Sequence, residues 1–200
     1  MKNLQYSAGA VSKGFWFEEF KKYNHMLQEG KTPFEIKALQ ENENILLAPS
    51  KTYGKRTISE VARRANALPK EVVELFPQVS ISDQKLINLL GIMMTDSLFF
   101  EYMYEVHREK LIIGSSSFED SDIRIFLKNK SEQSEKVAGY TQQTKRRLAT
   151  AYKTYLIAAN LLIEEKGNWV YNRPILDIRL EERMREPDLY PYLKALMGVV

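Results

Sequence analysis

From Leu86 to Thr95 the chain carries no charged side chain: Leu86, Ile87, Leu89, Leu90, Ile92, Met93 and Met94 follow one another with only Asn88 and Gly91 between them. After Asp96 the run resumes with Leu98, Phe99, Phe100, Tyr102, Met103, Tyr104 and Val106. Ser80-Ile81-Ser82-Asp83 precedes it, a helix start with an acid in the first turn. No single helical face holds all of these residues, and a helix that is apolar around most of its girth must be wrapped by other elements. The stretch Ser80 to Gly114 therefore predicts the central helix of an all-α bundle. Unbroken, it would be roughly 45–50 Å long, more than a small domain needs. The reading places a bend or break near Gly91 or Thr95.

The flanking segments follow helical spacing. Phe15, Trp16, Phe20, Tyr23 and Leu27 predict a helix over 11–29, closed by Gly30. Thr32-Pro33 opens a second helix, and Asn42 to Tyr53 reads as a loop. Thr57-Ile58-Ser59-Glu60 has the form of a capping box, predicting a helix from Ile58 to about Ala67 with Arg63 and Arg64 turned away from its apolar face. Asp120-Ser121-Asp122 caps a short helix to about Lys130, and Ser131 to Gly139 reads as polar and mobile. A long helix begins near Thr141 and runs to Glu165, where Leu148, Tyr152, Tyr155, Ala159 and Leu162 make one stripe. Trp169–Tyr171 and Ile175–Leu176, either side of Asn172-Arg173-Pro174, predict a small hairpin. Two short helices close the chain. The organisation is a single helical domain over 1–200, divisible at 1–79 and 80–200, with a winged-helix-like order of elements toward the C-terminus.

Several kinds of chemistry have no residues to carry them. The absence of cysteine removes thiol catalysis, disulfides and thiolate metal sites, and fits a cytoplasmic protein. No Walker or Rossmann glycine loop, no His-Glu-x-x-His and no Gly-x-Ser-x-Gly elbow occurs. His25 and His107 stand apart in the sequence and read as surface or helix-edge residues. Glu101, Glu105 and Glu109 repeat at i, i+4, i+8, spacing that suits a solvated face, pairing with basic neighbours, or a cation. The longest candidate for a membrane span, 155–163, falls far short of the ~20 residues a membrane helix needs, so no membrane is expected as a partner. No enzyme activity, cofactor or metal is expected.

The net charge is only +3, but the basic residues are unevenly placed. Lys51, Lys55, Arg56, Arg63, Arg64 and Lys70 face a single acid, Glu60, and Lys145, Arg146, Arg147 and Lys153 have no acid among them. Gln142, Gln143 and Thr144 lead into the second cluster at a helix start. Amides, hydroxyls and guanidiniums there match base edges and phosphates. The candidate nucleic-acid-binding residues are Lys51, Lys55, Arg56, Arg63, Arg64, Gln142, Lys145, Arg146, Arg147 and Lys153, with a solvated helix face as the competing explanation.

Four stretches, in this order and spacing, resemble one family. They are Ser7-Ala8-Gly9 with Gly14-Phe15-Trp16-Phe17-Glu18-Glu19; Lys55-Arg56-Thr57-Ile58-Ser59-Glu60-Val61; Phe99-Phe100-Glu101-Tyr102 through Val106-His107-Arg108-Glu109-Lys110; and Phe118-Glu119-Asp120 through Thr141-Gln142-Gln143-Thr144-Lys145-Arg146-Arg147-Leu148 to Ala159-Asn160-Leu161-Leu162. Together they resemble the BrxA family of bacteriophage-exclusion (BREX) defence proteins, over nearly the whole chain. The resemblance implies a helical fold like that of the antitermination factor NusB, double-stranded DNA as ligand, other BREX components as partners, and no enzymatic activity. It supplies no set of functional residues. A protein–protein scaffold and an RNA-binding protein are the alternatives.

Overall fold

The computed structural model describes residues 5–199, and these are almost wholly helical. They form two compact units, one of residues 5–14 with 96–199 and the other Phe15–Thr95.

In the unit Phe15–Thr95, Trp16 adopts a left-handed backbone (φ 49°) and opens α1 (Phe17–Gln28). α2 (Pro33–Glu43) starts at a reciprocal capping box between Thr32 and Glu35. α3 (Lys51–Ala67) begins at Ser50, whose Oγ accepts from the Tyr53 amide. The expected start at Thr57 is therefore wrong. Thr57 is a buried residue within the helix, the expected loop ends at Ser50, and Glu60 turns to arginine instead of the backbone. α4 (Lys70–Leu75) leads to α5 (Ile81–Thr95), where Ser80 Oγ accepts from the Asp83 amide. Leu86, Ile87, Leu89, Leu90, Ile92 and Met93 are all buried, as the uncharged run requires. α3 packs against α5 at Gly91, where a Cβ would lie 3.0 Å from the Cβ of Arg64 and 3.1 Å from its carbonyl oxygen.

The helix breaks one residue past Thr95, as the length argument anticipates. Thr95 Oγ1 donates back to Gly91 O, and Asp96, in extended backbone, caps a new helix through Oδ1 and the Phe99 amide. In this second unit α6 (Ser97–Tyr102) runs into a π-helical turn (Met103–His107) and α7 (Arg108–Ile112). The turn carries His107 into the core. His107 is fully buried, its Nδ1 lies 2.9 Å from Ala195 O, and its Nε2 has no partner. It is not the surface or helix-edge residue that its isolation in sequence suggests, whereas His25 is exposed. Burial pushes the His107 pKa down from 6.5 to about 4, against a smaller upward effect of the Ala195 carbonyl.

A depressed base takes up its proton in the unfolded chain first. The neutral-ring contribution is therefore complete above pH 6.5 and is lost as pH falls toward 4. At about 1.4 kcal/mol per pKa unit it amounts to roughly 3 kcal/mol. Urea titrations between pH 7 and 4 should show that loss in the wild type, and a His107→Phe variant should lack that share of the slope.

α8 (Asp120–Gln133) is followed directly by α9 (Glu135–Ala138), capped by Ser134 and anchored by fully buried Val137, so the segment read as polar and mobile is helical. α10 (Gln142–Ala158) starts at Thr141 and buries Leu148, Tyr152, Tyr155 and Leu156. Phe99 meets Tyr152 and Tyr155 edge-on at centroid distances of 5.0 and 5.4 Å, which fixes the opposite face of α10 outward.

α10 ends seven residues earlier than expected. Asn160 takes a left-handed conformation (φ 58°) and the Leu161 amide reaches back to Leu156 O, a Schellman-type stop. The hairpin consequently lies upstream of its expected position, pairing β1 (Leu162–Glu165) with β2 (Asn168–Tyr171). Lys166 and Gly167 form its two-residue turn, both at positive φ, a combination that matches the twist of paired strands. Asn172-Arg173-Pro174 is not the turn. Ser117 bridges Val170 on the other edge of β2. α11 (Ile178–Met184) and α12 (Tyr190–Met197) close the chain.

Candidate nucleic-acid interface

The two basic segments belong to different units and differ in what their charges already touch. On α3, Arg64 is 1% exposed. Its Nη1 donates to Phe15 O at 2.7 Å, its Nε to Glu60 Oε1 at 3.4 Å, and its guanidinium lies over the Trp16 ring. Arg63 forks onto Glu60 at 2.6 and 3.0 Å and donates a third hydrogen bond to Thr95 O. The expectation that both arginines point outward fails because Glu60 is buried beside them and a buried carboxylate needs cations. Arg64 offers nothing to a polyanion, and the Arg63 charge is largely neutralised. Lys51, Lys55 and Arg56 are exposed. Arg56 lies over the ring of Tyr53, while Lys51 and Lys55 line a groove between α2 and α3.

On α10 the charges are more available. Gln142, Arg146 and Arg147 are exposed and Lys145 is half-exposed. Arg147 donates one hydrogen bond to Val11 O. Lys153, a candidate for the nucleic acid, is already engaged within the protein. Its Nζ pairs with Asp120 at 2.8 Å and sits over Phe118 and Trp169, so it fastens α10 to the start of α8 and to the hairpin.

The structure also brings in two cations from outside the two basic segments. Arg124 and Lys128, four residues apart on α8, stand with Gln142, Lys145 and Arg146 around a cleft of about 370 Å³ floored by Leu127 and Ser131. No carboxylate lines it. Among the described residues none of Arg124, Lys128, Lys145 and Arg146 forms an ion pair. Their spacing opposite the buried trio Ile123, Phe126 and Leu127 was the signal available in the sequence. The cleft opens at the first turn of a long helix. There Thr141 Oγ1 satisfies the Thr144 amide, while Gln142 and Gln143 stand exposed. Such a helix start favours negative charge.

The row of carboxylates is split. Lys130, buried on α8, reaches Glu101 and Glu105 at 2.6 Å each, while Glu109 pairs with Arg108. Burial alone would lower the Lys130 pKa, but hydrogen bonds to the two carboxylates raise it, so it stays charged. Of the three uses the spacing allowed, Glu101 and Glu105 serve to pair with a basic neighbour. Among the described residues no group of histidine and carboxylate side chains is arranged to hold a metal ion, and no single helix is long and apolar enough to cross a membrane.

Comparison with known proteins agrees with the motifs. A crystal structure of an uncharacterized protein from Magnetospirillum magneticum superposes with a TM-score of 0.79, covering 98% of this chain and 100% of the other; at 13% identity it shares the fold alone. A BREX protein BrxA from Bacillus cereus (strain H3081.97) is 34% identical over 198 residues, 99% of each chain. The family model described as BrxA matches residues 4–188. The chain thus belongs to the BrxA family of BREX phage-defence proteins.

Proposed function

We propose that the chain is a non-enzymatic component of a BREX system that binds double-stranded DNA through the α8–α10 face. One observation carries this reading: four cations from two helices surround a single cleft at the start of α10, with no carboxylate in its lining. Cations without protein partners are the ones free to replace the counterions condensed on a duplex. Gln142 at the rim can donate and accept toward a base edge, so contact beyond the backbone is chemically open to it. Family membership supports other BREX components as partners alongside the duplex. The carboxylate row that a scaffold role would use is half-neutralised by Lys130, which favours the duplex over that alternative.

The salt dependence of binding tests the proposal. If all four cations meet phosphates, log K should fall with log salt with a slope of about −3 to −4. Titrating a labelled duplex by fluorescence anisotropy across salt concentrations gives that slope, and an equal length of structured RNA serves as competitor. A slope near zero, or RNA displacing the duplex at far lower concentration, overturns it.

A further inference from the structure

The groove between α2 and α3 has a character unlike the cleft on α8 and α10. It is about 380 Å³, floored by Ile58 and rimmed by Phe34, Lys37, Lys51, Lys55 and Glu41. Phe34 is 81% exposed, an aromatic ring standing in water at the mouth of a concave apolar surface. Such a ring gains nothing from its exposure and contributes on being covered. α2 and α3 come close beside the groove at Gly54, where a Cβ would lie 2.2 Å from Nε2 of Gln40. Gln40 is itself pinned by Leu46 N and Asn44, so the groove has a rigid wall.

We infer that this groove docks an acidic segment of another protein, one that inserts an apolar side chain against Phe34 and Ile58 and sets carboxylates on Lys37, Lys51 and Lys55. Charge complementarity selects this occupant. Three lysines stand against one carboxylate, and among the described residues none of the three lysines forms an ion pair. A lysine ring around an apolar floor suits carboxylates flanking a buried anchor, the helix-in-groove mode of recognition. Single-stranded nucleic acid fits less well. Its platforms stack successive bases on several rings with help from arginine. This groove has one ring and no arginine, and Glu41 at its rim repels phosphate. The inference assigns Lys51 and Lys55 to protein recognition, apart from the duplex face.

A random dodecapeptide library displayed on phage, selected on the full chain, tests it. Enriched peptides should carry an aromatic or aliphatic residue flanked by Asp or Glu. Synthetic copies of them should bind Phe34→Asp and the Lys51→Glu/Lys55→Glu double variant at least about tenfold more weakly than wild type. Both variants change exposed side chains, and far-UV circular dichroism checks that they fold. Their affinity for duplex DNA should stay within about twofold of wild type, so failure here and failure of the DNA proposal are separable. Absence of enrichment, enrichment of neutral or basic peptides, or binding indifferent to both variants overturns the inference. So does a single-stranded oligothymidylate that displaces the peptide and itself loses affinity on Phe34→Asp.

Discussion

Simultaneous charge reversal at Arg124, Lys128 and Arg146 is expected to lower duplex affinity by at least roughly a hundredfold at 0.15 M salt. Each phosphate contact adds about 0.9 to the slope of log K against log salt, which between 1 M and 0.15 M salt is a factor of about five; three contacts multiply to more than a hundred. Reversal adds repulsion to that loss. All three side chains are exposed and form no ion pair among the described residues, so the fold should be untouched. The loss should be nearly the same for any duplex sequence, because phosphates carry no sequence information. Lys153→Glu provides the contrast. That lysine already answers Asp120, so its reversal should change affinity little while loosening the start of α8 against α10. If the triple variant keeps its affinity within about twofold, the α8–α10 face is not where DNA binds.

Arg64→Ala should be the most damaging single change in the unit Phe15–Thr95, costing about 3–5 kcal/mol. The substitution removes a buried cation from a buried carboxylate. It takes a donor from Phe15 O, which Asn88 Nδ2 also reaches. It also leaves a void under Trp16. Urea unfolding followed by Trp16 fluorescence, in a Trp169→Phe background, measures the cost where it arises. Arg64→Met fills more of the space and should cost less than alanine, though it too abandons Glu60. A loss below about 1 kcal/mol for alanine would show that Glu60 is satisfied without Arg64, and that the buried pair is not a structural clamp.

Much of this architecture is legible in the sequence where periodicity and composition agree. The uncharged run of α5 buries as its residues demand, and its break at Thr95–Asp96 follows from length and a cap. The stripe of α10 is read correctly until Asn160, where one left-handed residue outweighs the apolar rhythm that continues past it. The hairpin is misplaced for a related reason. Lys166 is an uncommon residue for positive φ, so Lys166-Gly167 does not announce a turn as Asn-Gly does. The candidate site divides along the same line. Arg146 and Gln142 are exposed as helix geometry requires, but Arg64 and Lys153 are committed to Glu60 and Asp120 through contacts that no local pattern encodes. Arg124 and Lys128 join the cleft only because α8 packs on α10.

The π turn at Met103–His107 sets a rule about chain length in this region. One extra residue re-phases everything after it by about 100° relative to a continuous α-helix. This is why Glu101 and Glu105 share Lys130 while Glu109 swings away to Arg108. Deleting a single residue between Met103 and Val106 would regularise the helix and leave His107 and Arg108 facing as they do now, because the turn itself holds the extra residue. The stretch can therefore lose a residue and keep its downstream register, whereas a further insertion, with no second bulge to take it up, would turn His107 out of the socket where its neutral ring is held.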